Sequence, residues 1–206
     1  MKILMTAFEP FGKDKINASE EALKLLPKEI DGVEIDKMIL PVLYKEAAVK
    51  IYDALCEEGY SAVIAIGQAA GRKAITPEAI GINVMHARIQ DNAGRMPQHR
   101  KLLEGGKDAY FSTLPNEIIV EKIKEAGIPS EVSYHAGTFV CNDVLYHLMY
   151  DISVYFPNVL GGFIHVPNCT EQMIDKDGFA LDKEEIKKAL LIAAKETIAY
   201  LPKNVL

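Results

Sequence analysis

The sequence predicts an α/β protein with a mostly parallel central sheet, and three observations carry that expectation. KILMTAF (2–8), SAVIAIG (61–67) and GGFIHVP (161–167) are apolar without alternation, as strands buried on both faces require. These runs alternate along the chain with amphipathic stretches at helical spacing. No linker, internal repeat or low-complexity segment divides the 206 residues, so one domain spanning 1–206 is expected.

In chain order, strand 2–8 leads through a loop to SEEALKLLPK (19–28), a helix opened by Ser19. VEIDKMIL (33–40) alternates like a more exposed strand and Pro41 ends it; YKEAAVKIYDALCEEG (44–59) is an amphipathic helix closed by Gly59. After strand 61–67 comes GQAAGR, and GINVMHARI (81–89) is a further strand candidate. The polar Gly/Pro/Asn-containing stretch 90–108 reads as a loop or lid. AYFST (109–113) reads as a short strand, NEIIVEKIKEAG (116–127) as a helix and PSEVSYHAG (129–137) as a strand. CNDVLYHLMYDISVYF (141–156) is a helix, 161–167 the last strand, and 181–201 a long terminal helix with Asp182 near its start.

Composition narrows the function. Lys and Arg number 23 against 29 Asp and Glu, a formal charge of −6 that disfavours a nucleic-acid binder. No segment approaches the ~18–20 uninterrupted apolar residues of a membrane span. MKILMTAFEPFG meets a Glu and a Pro before any signal-peptide core forms, which predicts a cytoplasmic location. Cys56, Cys141 and Cys169 include no CxxC pair and form no closed disulfide framework, in keeping with reduced thiols.

In open parallel sheets, active sites lie at the carboxyl ends of strands. That rule ranks the candidates. Cys141 stands where the run HAGTFV turns into a helix, and the positive end of the helix dipole there favours a thiolate. The competing reading is a buried, inert thiol. Cys56 near a helix end reads as a bystander, and Cys169 lacks enough neighbouring ligands for a metal. His165 closes the strand GGFIHVP, either as a general base or as a core histidine bonded to a carbonyl. His86, His99, His135 and His147 have weaker cases; His147 is six residues from Cys141, about 600° around a helix, on a different face. Glu78 follows a sheet strand and is either solvated or the carboxylate that holds an imidazole. GQAAGR lacks phosphate-loop spacing, so Gln68, Arg72 and Arg88 read better as polar donors near a site.

Seven motifs in order, FEPFG (8–12) with Asn17, IGQAAGR (66–72), ITPE (75–78) with Asn83, ARIQDN (87–92), AYFSTLP (109–115), AGTFVCN (136–142) and GFIHVP (162–167), resemble pyroglutamyl-peptidase I, a family of cytosolic cysteine peptidases. The resemblance implies a three-layer α/β/α sandwich, a homotetramer, and no metal or organic cofactor. It implies that Cys141, His165 and Glu78 are catalytic, that Gln68 and Arg88 lie near the reacting carbonyl, and that Phe8, Phe11 and Asn17 belong to the substrate site. Its substrates are peptides with an N-terminal pyroglutamate. Four positions depart from the family pattern: Ala79 replaces an arginine, His86 an aspartate, Lys13 a glycine and Ala18 a proline. Two other classes remain: a catalytically silent relative that binds pyroglutamate or a peptide terminus, and a phosphorylase- or nucleosidase-like enzyme.

Overall fold

The computed structural model describes residues 1–12, 14–173 and 178–201; the departure at Lys13 lies outside them. The chain runs β1 (Lys2–Phe8), α1 (Ala18–Leu25), β2 (Glu29–Ile30), β3 (Val33–Leu40), α2 (Glu46–Glu57), β4 (Ala62–Gln68), β5 (Thr76–Glu78), β6 (Ile80–Ile82), β7 (Ala109–Phe111), α3 (Asn116–Glu125), α4 (Val140–Val154), β8 (Leu160–Val166) and α5 (Lys183–Tyr200). Six strands form one sheet in the order β2-β3-β1-β4-β8-β5. The inner four are parallel, and β2 and β5 pair antiparallel at the two edges.

Period-2 alternation distributes the buried strands between two cores. Ile3, Met5, Ala7, Ile64, Ile66, Ile164 and Val166 pack with α1, α3 and α5 on one face. Leu4, Phe8, Val63, Ala65 and Phe163 pack with α2 and α4 on the other. Helices therefore cover both faces, giving the α/β/α sandwich. Asn17 caps α1 by accepting from Ser19 N, and Asp182 with Glu185 forms a capping box on α5.

Two expected strands are different. GINVMHARI is a strand only over β6, followed by one isolated bridge between Met85 and Arg100. Side-chain amides take over its backbone groups: Asn142 Oδ1 accepts from Ile82 N, and Asn142 Nδ2 donates to the carbonyls of Ile82 and Val84. PSEVSYHAG runs beside β5 but touches it only through isolated bridges at Ser130 and Ser133. β5 itself, three residues with Pro77 in the middle, offers too short a ladder for a strand to form on.

The 90–108 stretch has no strand or helix, and one buried side chain anchors it. Asn83 Oδ1 accepts from the amides of Leu102 (2.8 Å) and Leu103 (2.9 Å), while its Nδ2 donates to the Leu103 carbonyl (2.9 Å). Asn83→Ala leaves two inward amides without an acceptor. It should lower unfolding free energy by about 2–4 kcal/mol in urea titrations and accelerate hydrogen exchange at Leu102 and Leu103.

Candidate active site

His165 ends the apolar part of β8, paired in register with Gly67 on β4 and Thr76 on β5. Alternation puts Phe163 and His165 on the α2/α4 face, with their ring centroids 4.8 Å apart. Glu78 stands opposite Phe163 across the antiparallel pair, one diagonal from His165. Its Oε1 lies 2.7 Å from His165 Nδ1, with the carboxylate 0% and the imidazole residue 3% exposed. An ionised carboxylate can only accept, so Nδ1 carries the proton and Nε2 keeps a free lone pair.

Glu78 is held ionised by a second partner. Arg72 Nη1 lies 2.7 Å from the same Oε1. The guanidinium is fixed in turn by the Thr76 hydroxyl and by the His135 carbonyl, 2.9 Å from Nη2. Burial pushes the Glu78 carboxyl up, but the hydrogen bond and charge of His165, with the charge of Arg72, outweigh it and hold the group below the ordinary carboxylate range. The cation is already supplied to Glu78, so an alanine at 79 leaves the carboxylate paired.

Cys141 is the second residue of α4. The preceding chain turns through Gly137, at φ +81°, a conformation that suits glycine. The N-cap residue, Phe139, provides no capping side chain, so the first-turn amides of α4 have no side-chain acceptor there. The sulfur rests on the floor of the sheet at Gly67: a Cβ at that position would lie 3.0 Å from Cys141 Sγ and 2.7 Å from Phe163 Cζ. Only hydrogen fits there. Gly67 is the register partner of His165, and the thiol and the imidazole line the same cleft.

The protonation state differs from the dipole-based expectation. Burial and then the Glu78 charge push the Cys141 thiol up to about 12, although Arg72 and the sulfur's own backbone N–H oppose them. Burial, aided by Arg72, also lowers His165 despite Glu78. In the unliganded molecule the pair is therefore thiol and neutral imidazole at neutral pH, not thiolate and imidazolium. One helix terminus does not outweigh enclosure by protein.

Two cavities meet at the sulfur. A narrow one is lined by Phe8, Phe11, Asn17, Gln68, Phe139 and Cys141, among others. A cleft of about 810 Å³ shares Phe11, Gln68, Phe139 and Cys141 with it and adds His86, Arg88, His135 and His165. All eight sequence candidates thus lie at this locus or directly behind it. Gln68 and Asn17, however, are heavily engaged. Gln68 Oε1 accepts from Ala18 N (2.7 Å) and Gln172 Nε2 (3.0 Å), and its Nε2 donates to Asn168 (2.9 Å). Asn17 accepts from Ser19 and donates to the Glu9 carbonyl. Both pin the start of α1 against the site.

The remaining candidates lie elsewhere. Cys56 is exposed on α2, Cys169 is buried in the α1/α3/α5 core, and His147 Nδ1 is 2.8 Å from Asp143. Among the described residues no group of three His, Cys, Asp or Glu side chains is arranged to hold a metal ion. Sequence reasoning missed the pairing of Arg72 with Glu78. The six-residue separation between them, around a chain reversal, was its only signal.

The sequence pattern that defines pyroglutamyl peptidase matches residues 1–200. The pyrrolidone-carboxylate peptidase of Clostridium botulinum is 44% identical over 199 residues, covering 96% of this chain and 93% of the relative. That of Staphylococcus carnosus is 48% identical over 176 residues, covering 85% and 83%. Among solved structures, pyroglutamyl peptidase I from Bacillus amyloliquefaciens superposes with a TM-score of 0.93 at 40% identity, covering 97% of this chain and 95% of that one. The pyrrolidone carboxyl peptidase of Thermococcus litoralis does so with a TM-score of 0.93 at 34% identity, covering 97% and 94%. Agreement in sequence and in fold, over nearly the whole length, makes this chain a member of the pyroglutamyl peptidase family.

Proposed function

We propose that this chain is a cysteine peptidase that removes N-terminal pyroglutamyl residues from peptides, with Cys141 as nucleophile, His165 as base and Glu78 as its carboxylate partner. The observation that carries the reading is the buried His165–Glu78 hydrogen bond of 2.7 Å on the sheet floor where the Cys141 sulfur rests. As the thiolate attacks the pyroglutamyl carbonyl, His165 Nε2 takes the thiol proton. Glu78 stabilises the imidazolium so formed. The backbone N–H of Cys141 and the Arg88 guanidinium are the donors for the oxyanion, a role in which one donor is worth about 3 kcal/mol. His165 then protonates the leaving amine, and water, deprotonated by the same nitrogen, hydrolyses the thioester.

Selectivity follows from the narrow pocket. Pyroglutamate is a neutral lactam, and the aromatic rings of Phe8, Phe11 and Phe139 suit its flat ring. Among the described residues no Asp or Glu lines that pocket, so the ammonium of an ordinary N-terminus would be desolvated there without a counter-charge, at a cost of several kcal/mol. Completeness of the cysteine, histidine and glutamate set argues against the silent-binder reading. The phosphate reading loses Arg72, which is committed to Glu78. By resemblance we also place the protein in the cytoplasm as a homotetramer of single-domain subunits. Three free cysteines fit that compartment, and no helix among the described residues is long and apolar enough to cross a membrane.

Cleavage of a pyroglutamyl amide with a chromogenic leaving group tests the activity. Cys141→Ser should lose at least about 10³-fold in kcat. Retained turnover in that variant removes the thiol from the mechanism, and phosphate-dependent cleavage of a nucleoside would restore the third class.

The pH profile tests the neutral pair. Activity requires unprotonated His165, whose pKa lies below the ordinary histidine value of 6.5. The acid limb of kcat/KM should therefore fall below pH 6.5, with no alkaline limb from the thiol before about 12. Glu78→Gln removes the group that raises His165. It should cost about 10³–10⁴-fold in kcat and move the acid limb further down.

A further inference from the structure

We infer that Arg88, flanked by His86 and His135, makes the leaving-peptide side of the cleft select a carboxylate, so that peptides with an acidic residue after the pyroglutamate are preferred substrates. This rests on the peptidase reading above. The sulfur stands at the junction of the two cavities, and the narrow aromatic one takes the ring. The leaving chain must then extend along the 810 Å³ cleft.

The walls of that cleft have an unusual composition for this protein. The chain carries six more acidic than basic residues, yet among the described residues no Asp or Glu lines the cleft. Its ionisable side chains are Arg88, His86, His135, His165 and Cys141. Among the described residues Arg88 is exposed and has no ion-pair or hydrogen-bond partner, unlike Arg72 and Arg95. Arg72 is paired with Glu78, and Arg95 is paired with Asp91 at 2.8 Å and Glu46 at 3.1 Å. A lone guanidinium over a wall free of carboxylates leaves the cleft positive, and a planar fork of donors matches a carboxylate.

The two histidines reinforce this. Gly137 N–H donates to His135 Nδ1 (3.2 Å), which leaves Nε2 of that exposed ring as an N–H donor. His86 stacks on His99 with centroids 4.3 Å apart, and its buried Nδ1 has no hydrogen-bond partner among the described residues. Neither ring places a negative group near Arg88. The lactam is uncharged and the oxyanion is transient, so a cation open to the cleft has a ground-state partner only in the leaving peptide. An acidic side chain and the terminal carboxylate of a short peptide share that chemistry.

The test compares kcat/KM for pyroglutamyl-Glu-amide, pyroglutamyl-Gln-amide, pyroglutamyl-Lys-amide and pyroglutamyl-Gln with a free carboxylate, on the wild-type protein and on Arg88→Gln. The wild type should favour the Glu-amide over the Gln-amide by at least about threefold and disfavour the Lys-amide. The preference should fade between ~20 mM and ~0.5 M salt. If the terminal carboxylate is the preferred source, the free-acid dipeptide shows the gain instead. Arg88→Gln should bring the ratios to about one, whereas an oxyanion role alone lowers all four substrates equally and leaves the ratios unchanged. His86→Asn with His135→Asn should shrink the ratios partially. Equal kcat/KM for all four substrates in the wild type overturns the inference, even if Arg88→Gln has no turnover at all. Absence of cleavage of all four overturns the peptidase reading itself.

Discussion

A carboxylate with no exposure to water organises the centre of this molecule. Glu78 is tolerated there because its Oε1 receives both Arg72 and His165 at 2.7 Å. Buried charge without such partners costs several kcal/mol, and removing one partner of a buried pair typically costs about 3–5 kcal/mol. The arrangement fixes more than a charge. It sets the tautomer of His165, aims Nε2 away from Glu78, and ties the turn after β4 to the returning edge strand β5. Through the Arg72–His135 contact it also holds the segment leading to α4.

The second constraint is the close approach over Gly67. A nucleophile on a helix terminus is placed by the packing of that helix, and α4 buries Val140, Val144, Leu145, Leu148 and Met149 against the sheet. The sulfur thus inherits the precision of a packed core rather than that of a loop. The same packing raises the thiol and lowers the imidazole, so the two groups are uncharged at neutral pH. In the proposed mechanism charge separates only when the acyl carbon is present, and Glu78 then stabilises the cation.

Much of this was legible in the sequence, for identifiable reasons. Strands such as KILMTAF and SAVIAIG declare themselves because parallel strands are apolar on both faces, and the carboxyl-end rule singled out Cys141, His165 and Glu78. The edge strand β5 was invisible, because three residues around a proline carry no periodicity. GINVMHARI looked like a strand because its composition is right, but the side-chain amide of Asn142 claims its backbone groups at Ile82 and Val84. The roles of Gln68 and Asn17 in holding α1, and the protonation of Cys141, depend on contacts between distant segments. No local pattern encodes them.

The enclosed, protonated sulfur has a bearing on durability. Peroxides and alkylating agents react with thiolates, and their attack slows as the thiolate fraction falls. With the thiol pushed up to about 12, Cys141 carries little thiolate at neutral pH. The exposed Cys56 on α2, remote from the catalytic floor, meets such reagents first. Partial enclosure by protein leaves the half-buried Cys141 sulfur low in thiolate yet open to the cleft.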